Sequence, residues 1–295
     1  MNNKSSLSSR RQYLGMLLPA MIFICVLSVV PIIGLFFTSF MELTLTRMDQ
    51  AHFNGIDNFI RMFQDSRFLG SLQRQAVMSV MSVTLQLCIG LLFALVLSVF
   101  HGRMRILRSM IIIPFVIPPV VVGLIWLTIF TPSISPINAF IELFGAKGPS
   151  WLTTNWLAML SIIIADTWNN FPFCSIVLLT ALQNIPSEIF ESVQLDGATT
   201  LQKLRYITLP LIKPSIVLCI TLRLIESLKA FPLIFIMTMG GPGVSTEVTN
   251  FYAYLQAFQY NHIGYASAMG LFIFLVTIVL SVFITRFNSS VNSYD

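Results

Sequence analysis

Charge is scarce in this sequence of 295 residues: Asp, Glu, Lys and Arg together make up 10% of it, against about a quarter in a soluble globular chain. A water-soluble fold of this length exposes too much surface to be covered by so few charges. Histidine is scarcer still. His52, His101 and His262 fall in separate loops with no Ser or Cys nucleophile beside them, so a membrane enzyme would lack its reactive constellation. The four cysteines (Cys25, Cys88, Cys174, Cys219) lie in apolar stretches with no CxxC and no His at ligand spacing. They read as small hydrophobes in helix interfaces rather than as disulfides or metal ligands. Basic residues outnumber acidic ones, giving a net charge of +5, but no basic run exceeds Arg10-Arg11. The clustered basic face of a nucleic-acid binder is therefore missing. Also absent is G-x-x-x-x-G-K-[ST], and with it a phosphate cradle for ATP.

Apolar sequence is abundant: 56% of the residues are hydrophobic, and 25 of them are Phe. A membrane-crossing helix takes about 20 mostly apolar residues, and six segments meet or approach that length: 14–40, 76–100, 110–130, 156–182, 216–239 and 267–287. The first follows Arg10-Arg11 but is too long for a signal-peptide core and lacks a small-residue cleavage site, so it reads as a retained anchor. The expected fold is an all-α polytopic membrane protein. Its parts are a tail (1–13), a first span with its loop (14–75), a core of spans (76–287) and a second tail (288–295). With the N-terminus inside, the inner side holds Lys4, Arg10, Arg11, Arg103, Arg105, Arg108, Lys203, Arg205, Lys213 and, at the last boundary, Arg286. The outer loops hold Arg47, Arg61, Arg67, Arg74 and Lys147, so the positive-inside rule places both termini in the cytoplasm. Pro118-Pro119 should kink the third span, and such a break persists only where protein or a water-filled cavity covers the freed carbonyls. Pathway lining and simple packing both remain open for it.

The loop 183–215 is too long and too amphipathic to be a mere connector. Pro186 and Ser187 open a helix, with Glu188 in its first turn at the positive end of the dipole. Ile189, Val193 and Ala198 keep one apolar stripe while Glu191, Gln194 and Asp196 face elsewhere. Gly197 stops that helix. A second helix is expected from Thr200 to Tyr206, before Pro210 and Pro214 lead into the fifth span. Two short helices set at an angle suit docking in a partner's groove.

In this loop Glu191 is followed by Ser192 and Val193, then by Gly197, Ile207, Leu209 and Pro210. That spacing resembles the coupling loop of ATP-binding-cassette importer permeases, in which Glu-Ala-Ala, three residues, Gly, nine residues and Ile-x-Leu-Pro recur. Ser192-Val193 stand where the family has two alanines, a departure that bears on the local fit to the ATPase. Leu182-Gln183-Asn184-Ile185-Pro186, the stretch Thr238 to Glu247 with Gly240-Gly241-Pro242, and Gly264-Tyr265-Ala266-Ser267-Ala268 resemble the carbohydrate-uptake branch, of the maltose and glycerol-phosphate permease type. An Asn58-Phe59 element fits as well.

The resemblance implies a type I importer permease in the bacterial inner membrane. Its partners would be a second, similar permease in a heterodimer, two ATPase subunits and an extracytoplasmic binding protein that delivers a sugar-like solute. ATP and magnesium would be held by the ATPase, with no cofactor in this chain. The residues expected to receive its motion are Glu191, Ser192, Val193, Asp196, Gly197, Ala198, Ile207, Leu209 and Pro210.

Polar groups at bilayer depth are costly, so they turn inward and pair or bind. Gln86 in the second span, Asp166, Asn169 and Asn170 in the fourth, and Arg223, Glu226 and Lys229 in the fifth are candidates for the solute path. Glu226 sits three residues from both Arg223 and Lys229, so one carboxylate can serve both cations. That pairing is the simpler reading, with direct solute contact as the other. Trp168 beside two amides suits a pyranose, whose apolar face stacks and whose hydroxyls bond; a packing or interfacial tryptophan is the alternative. A secondary transporter would also show six spans and buried charges. It would gain nothing from the loop pattern, and repeated halves are not visible.

Overall fold

The computed structural model describes residues 3–99 and 105–291, with side chains described at all of these except 3–16, 105, 107, 108, 285 and 287–291. Lys4, Arg10, Arg11, Arg103, Arg105 and Arg108, which carry much of the orientation reading, thus lie outside the described side chains, as do most of both terminal tails. The helices in chain order are α1 (Asn3–Ser39), α2 (Asp57–Gln64), α3 (Ser66–Val99), α4 (Arg105–Val116), α5 (Pro119–Phe130), α6 (Pro136–Leu143) and α7 (Asn155–Gln183). There follow α8 (Ser187–Leu195), α9 (Thr200–Lys203), α10 (Leu209–Leu211), α11 (Lys213–Ser227), α12 (Phe231–Met237), α13 (Thr249–Tyr254) and α14 (Ile263–Val291). A two-stranded ribbon pairs β1 (Met41–Glu42) with β2 (His52–Phe53) in antiparallel register, Met41 opposite Phe53.

Among the described residues four helices are long and apolar enough to cross a bilayer: α1 over Leu17–Ser39, α3, α7 and α14 over Ile263–Ile284. Two bent pairs bring the number to as many as six: Ser109–Val116 with Pro119–Phe130, at 99°, and Thr200–Leu211 with Lys213–Ser227, at 66°. The chain divides into two compact units.

The first unit comprises Met1–Asp65 and Ala253–Phe272. Its α1 ends where Asn58 closes it, the amide donating to Ser39 O (3.0 Å) and Met41 O (2.9 Å). Phe59, next in sequence, packs its ring 5.3 Å from Phe40. A Cβ on Gly264 would collide with Met41 O, so only glycine lets the start of α14 approach the ribbon this closely. Just beyond it, Tyr265 donates to Asp65 Oδ2 (2.8 Å) and carries the Arg61 guanidinium over its ring.

The second unit comprises Ser66–Tyr252 and Ile273–Asp295. Here α3 and α7 pack along the most extensive interface. Small residues permit it: a Cβ on Gly90 would fall 2.6 Å from Cys174 Cβ, the close approach that small residues give to membrane helices. Cys174 and Cys219 are buried in an apolar cluster with Ala94, Leu97, Leu178, Leu182 and Ile212, the small-hydrophobe role expected of all four cysteines, whereas Cys25 and Cys88 are exposed.

Two spans differ from the sequence reading in the same way. The third bends at Ile117-Pro118 far more sharply than a kink, into separate α4 and α5. The fifth, expected to run unbroken over 216–239, stops at Ser227 and restarts at Phe231. Pro232 explains the second break, since it lacks the N–H that would bond Leu228 O four residues back. The Leu228 carbonyl instead accepts from Asn250 Nδ2 at 3.1 Å. Pro118 likewise removes the N–H due to Pro114 O, which accepts instead from Asn169 Nδ2 and, at 3.4 Å, from Ile117 N; Asn169 Nδ2 also donates to Ile117 O at 3.4 Å.

Candidate functional site

The segment 183–215 folds as two short helical pieces, and local chemistry fixes both. Helix α8 closes with a Schellman pattern: Ala198 N donates to Val193 O (3.3 Å) and Gly197 N to Gln194 O (3.1 Å). Gly197 has φ +75°, a conformation that β-branched residues resist. A Cβ there would meet nothing within 4 Å, so backbone conformation rather than space requires the glycine. The next helix opens on a capping box. Thr199 Oγ1 accepts from Gln202 N (3.3 Å), and Gln202 Oε1 accepts from Thr199 N (2.8 Å). Residues 204–208 form a π-helical turn, so the second helical piece runs on to Leu211 rather than stopping at Tyr206. The Lys203 ammonium sits 4.5 Å over the Phe190 ring and ties the two pieces together.

Glu191, Ser192, Asp196, Gly197 and Pro210 are exposed, while Val193, Ala198, Ile207 and Leu209 are half-buried. The sequence reading did not single out the exposed apolar residues here: Leu195 (89% exposed), Leu201 and Tyr206. Apolar side chains bared on a short polar-rimmed element mark an interaction surface. Their signal was available, since none of the three falls on the Ile189–Val193 stripe.

Within the second unit Gln86, Asp166, Asn170 and Arg223 come together. Gln86 Nε2 donates to Asp166 Oδ2 (2.9 Å), Arg223 Nε donates to Gln86 Oε1 (2.8 Å), and Asn170 Nδ2 donates to Asp166 Oδ1 (2.9 Å). Gln86 is wholly buried, Asp166 is 4% exposed and Arg223 6%. One amide thus relays between a buried carboxylate and a buried guanidinium, each of which would be costly unpaired. This corrects one pairing: Arg223 turns to Gln86 across the helix interface, and Glu226 is left with Lys229 alone. That ion pair is 3.0 Å long and solvent-exposed, a geometry that contributes little. Asn169 does not join the network, because its amide caps the break in the third span.

Trp168 stands apart from the network in an aromatic series. Its ring meets Trp126 edge-on at 5.9 Å, Trp126 stacks on Phe130 at 5.2 Å, and Phe130 lies 5.2 Å from Trp151. Trp151 Nε1 donates to Asn138 Oδ1 (2.8 Å). The buried Trp126 Nε1 has no hydrogen-bond partner among the described residues.

The sequence reading missed a second polar cluster. Glu247, 2% exposed, takes a bidentate pair from Arg67: Nε to Oε1 at 2.8 Å and Nη2 to Oε2 at 2.7 Å. Arg74 Nε donates to Glu247 O (2.8 Å). The reading had left Arg67 and Arg74 in a loop, but α3 begins at Ser66 and both ride on it. Gln75, Ser79, Ser82 and Gln86 recur on α3 at helical spacing and are all buried; that stripe was legible as a polar face.

Residues 86–293 match the family described as binding-protein-dependent transport system inner membrane component. Among similar proteins, the trehalose/maltose transport system permease protein MalF of Thermococcus litoralis is 32% identical over 283 residues, covering 95% of this chain and 94% of that one. The sulfoquinovosyl glycerol transport system permease protein SmoG of Agrobacterium fabrum is 30% identical, covering 92% and 88%. Among solved structures, a chain of a bacterial alginate ABC transporter in complex with an alginate-pentasaccharide-bound periplasmic protein superposes with TM-score 0.82. It is 25% identical and covers 98% of each chain.

Proposed function

We propose an oligosaccharide import path for this chain, which belongs to the binding-protein-dependent transport system inner membrane component family and is a permease subunit of an ATP-binding-cassette importer. The solute is a sugar or sugar-like molecule handed over by a binding protein outside a bacterial inner membrane. The second half of the path comes from a partner permease in a heterodimer. Two ATPase subunits hold ATP and magnesium. The sugar named for relatives from two organisms, and the pentasaccharide named for the solved complex, support that solute class.

Coupling to ATP hydrolysis is assigned to Glu191, Ser192, Val193, Asp196, Gly197, Ala198, Ile207, Leu209 and Pro210. The observation that carries this is a pair of short helices locked by a Schellman closure and a capping box, with Leu195, Leu201 and Tyr206 bare. A groove in a partner subunit covers such side chains, and the fixed angle turns its closure into a push on α11. On the solute side, Trp168 and Trp126 supply aromatic faces for sugar rings, and the unpartnered Trp126 N–H supplies a donor for a hydroxyl. Gln86, Asp166, Asn169, Asn170 and Arg223 already bond to protein, which supports a wall that holds its shape. Glu226 and Lys229 form the exposed pair beside it.

The test is ATP-dependent uptake by vesicles reconstituted with this chain, its partner permease, the ATPase and the binding protein. The probes are labelled trehalose, maltose and alginate pentasaccharide. Gly197→Val and Glu191→Lys are expected to abolish uptake and to stop the ATPase co-purifying, with sugar binding to the soluble component unchanged. Full uptake in both variants would reduce residues 191–210 to a connector.

A further inference from the structure

The chain does not connect the coupling segment rigidly to the 240–247 loop. Only Ile212 separates α10 from α11, and although the chain bends by 66° there, Ile212 N donates to Thr208 O and Ile216 N to Ile212 O, so a push on residues 200–211 reaches α11 through a hydrogen-bonded junction. Beyond Ser227, however, the helix is broken over 228–230, and α12 and a turn-rich stretch follow before Glu247. A displacement passing along the backbone would be absorbed at that break.

Side chains from α3 bridge it. Near the middle of α11, Arg223 Nε donates to Gln86 Oε1 (2.8 Å). At its last turn, Ser227 Oγ donates to Ser79 Oγ (2.8 Å), and Gln75 Nε2 donates to Ser227 O (3.1 Å). Past the break, Arg67 and Arg74 hold Glu247 by its carboxylate and its backbone carbonyl. The donors and acceptors on α3 thus run from residue 67 to residue 86, a rise of about 28 Å at 1.5 Å per residue. Directional bonds at three heights along one unbroken helix oppose both sliding and rotation. A purely apolar seam would allow either, since dispersion contacts are not directional.

We propose that α3 is the strut that carries the motion of α11 past the break at 228–230 to the 240–247 loop. Gln86, Ser79 and Arg67 act as positioning residues that latch α3 to α11 and to that loop. The proposal rests on the coupling role of residues 191–210. It differs from a solute-contact role for Gln86, which would act on sugar affinity.

Ser79→Cys with Ser227→Cys places two thiols where hydroxyls now touch. Oxidation by copper phenanthroline, in the fully reconstituted transporter, joins α3 to α11 by a disulfide, with the bond identified by mass spectrometry. If the two helices move as one body, uptake of the best-transported panel sugar stays within about twofold of the reduced sample. A loss of fivefold or more on oxidation, reversed by dithiothreitol and absent from Ser79→Cys alone, would mean that α11 slides past α3 and would overturn the proposal.

Gln86→Leu and Glu247→Gln give the second readout. Each is expected to lower sugar moved per ATP hydrolysed at least fivefold, while the ATPase stays bound and KM for the sugar stays within twofold. An unchanged ratio, or a tenfold KM shift at constant ratio, refutes the strut. Gly197→Val, assayed alongside, separates the two readings: if it alone proves harmless the docking assignment fails, whereas the cross-link reports on α3 and α11 regardless.

Discussion

Gly90→Ala tests whether the α3–α7 interface is as tight as the geometry requires. In an isolated helix the change should help, because glycine is less favourable than alanine by about 1 kcal/mol. Here the added methyl would lie 2.6 Å from Cys174 Cβ, 3.0 Å from Ser175 N and 3.2 Å from Cys174 C. Carbon pairs settle at about 3.5–4.0 Å, so the helices must part by about 1 Å. Two of the three contacts are backbone atoms, and the third is a Cβ, which no rotamer change can move. Separation would loosen the buried cluster that Ala94, Cys174, Leu178 and Cys219 share. Overpacking of this kind costs about 1–3 kcal/mol; with contacts this short on unmovable atoms the upper part of that range applies, which outweighs the propensity gain and leaves a net loss of up to about 2 kcal/mol by the difference of the two effects. Thermal unfolding of the purified transporter in detergent, followed by loss of monodisperse protein, measures the sign. Cys174→Gly in the same background removes the clashing Cβ and should recover part of the loss. A Gly90→Ala protein as stable as wild type, or more so, would refute the claimed approach of the two helices.

Two further outcomes follow from the polar contacts. Asn169→Leu keeps the side chain's size but removes its bonds to Pro114 O and Ile117 O, leaving Pro114 O only the 3.4 Å bond from Ile117 N; a lost hydrogen bond costs about 0.5–1.5 kcal/mol, so the same assay should register a loss of that size, and a variant as stable as wild type would refute the capping role. Arg67→Leu leaves the Glu247 carboxylate with Arg74 Nη2 at 4.0 Å as its remaining ion pair among the described residues and should destabilise more than Arg67→Leu with Glu247→Leu, because a buried charge stripped of its bidentate partner costs more than a removed pair; equal losses in a double-mutant comparison would refute that ordering.

Much of this architecture was legible because bilayer crossing imposes crude and strong constraints. The long apolar runs 156–182 and 267–287 each lie within a single helix, as do 14–39 and 76–99 of the other two, while the polar start of α3 was misjudged: Arg67 and Arg74 read as loop residues, but α3 begins at Ser66. The segment 183–215 was legible for another reason. Gly197 and the spacing around it announce a helix stop, and the Schellman bonds realise it. What failed was partner choice among polar groups. Spacing along one helix offered Glu226 to Arg223, but burial set the outcome: Arg223 is 6% exposed and turns inward, while Glu226 faces out. A one-dimensional pattern cannot rank a neighbour at i+3 against a glutamine 137 residues away.

Asn169 teaches the same lesson from the other side. Beside a tryptophan and a second amide it looked like a ligand for sugar hydroxyls, yet its donor is held by the carbonyl whose helical N–H Pro118 removes. Asn250 does the same for Leu228 O behind Pro232. In water, a proline's orphaned carbonyl is solvated at little cost; at membrane depth it must find a donor in the protein. The breaks at 117–118 and 228–230 therefore come with two asparagines, each on a different helix from the proline it serves. A polar residue in a span is then no more a sign of cargo than of a broken helix nearby. The prolines bear on the choice: an amide donor within reach of a carbonyl four residues before a proline already bonds there, whereas Trp126 Nε1 has no partner among the described residues.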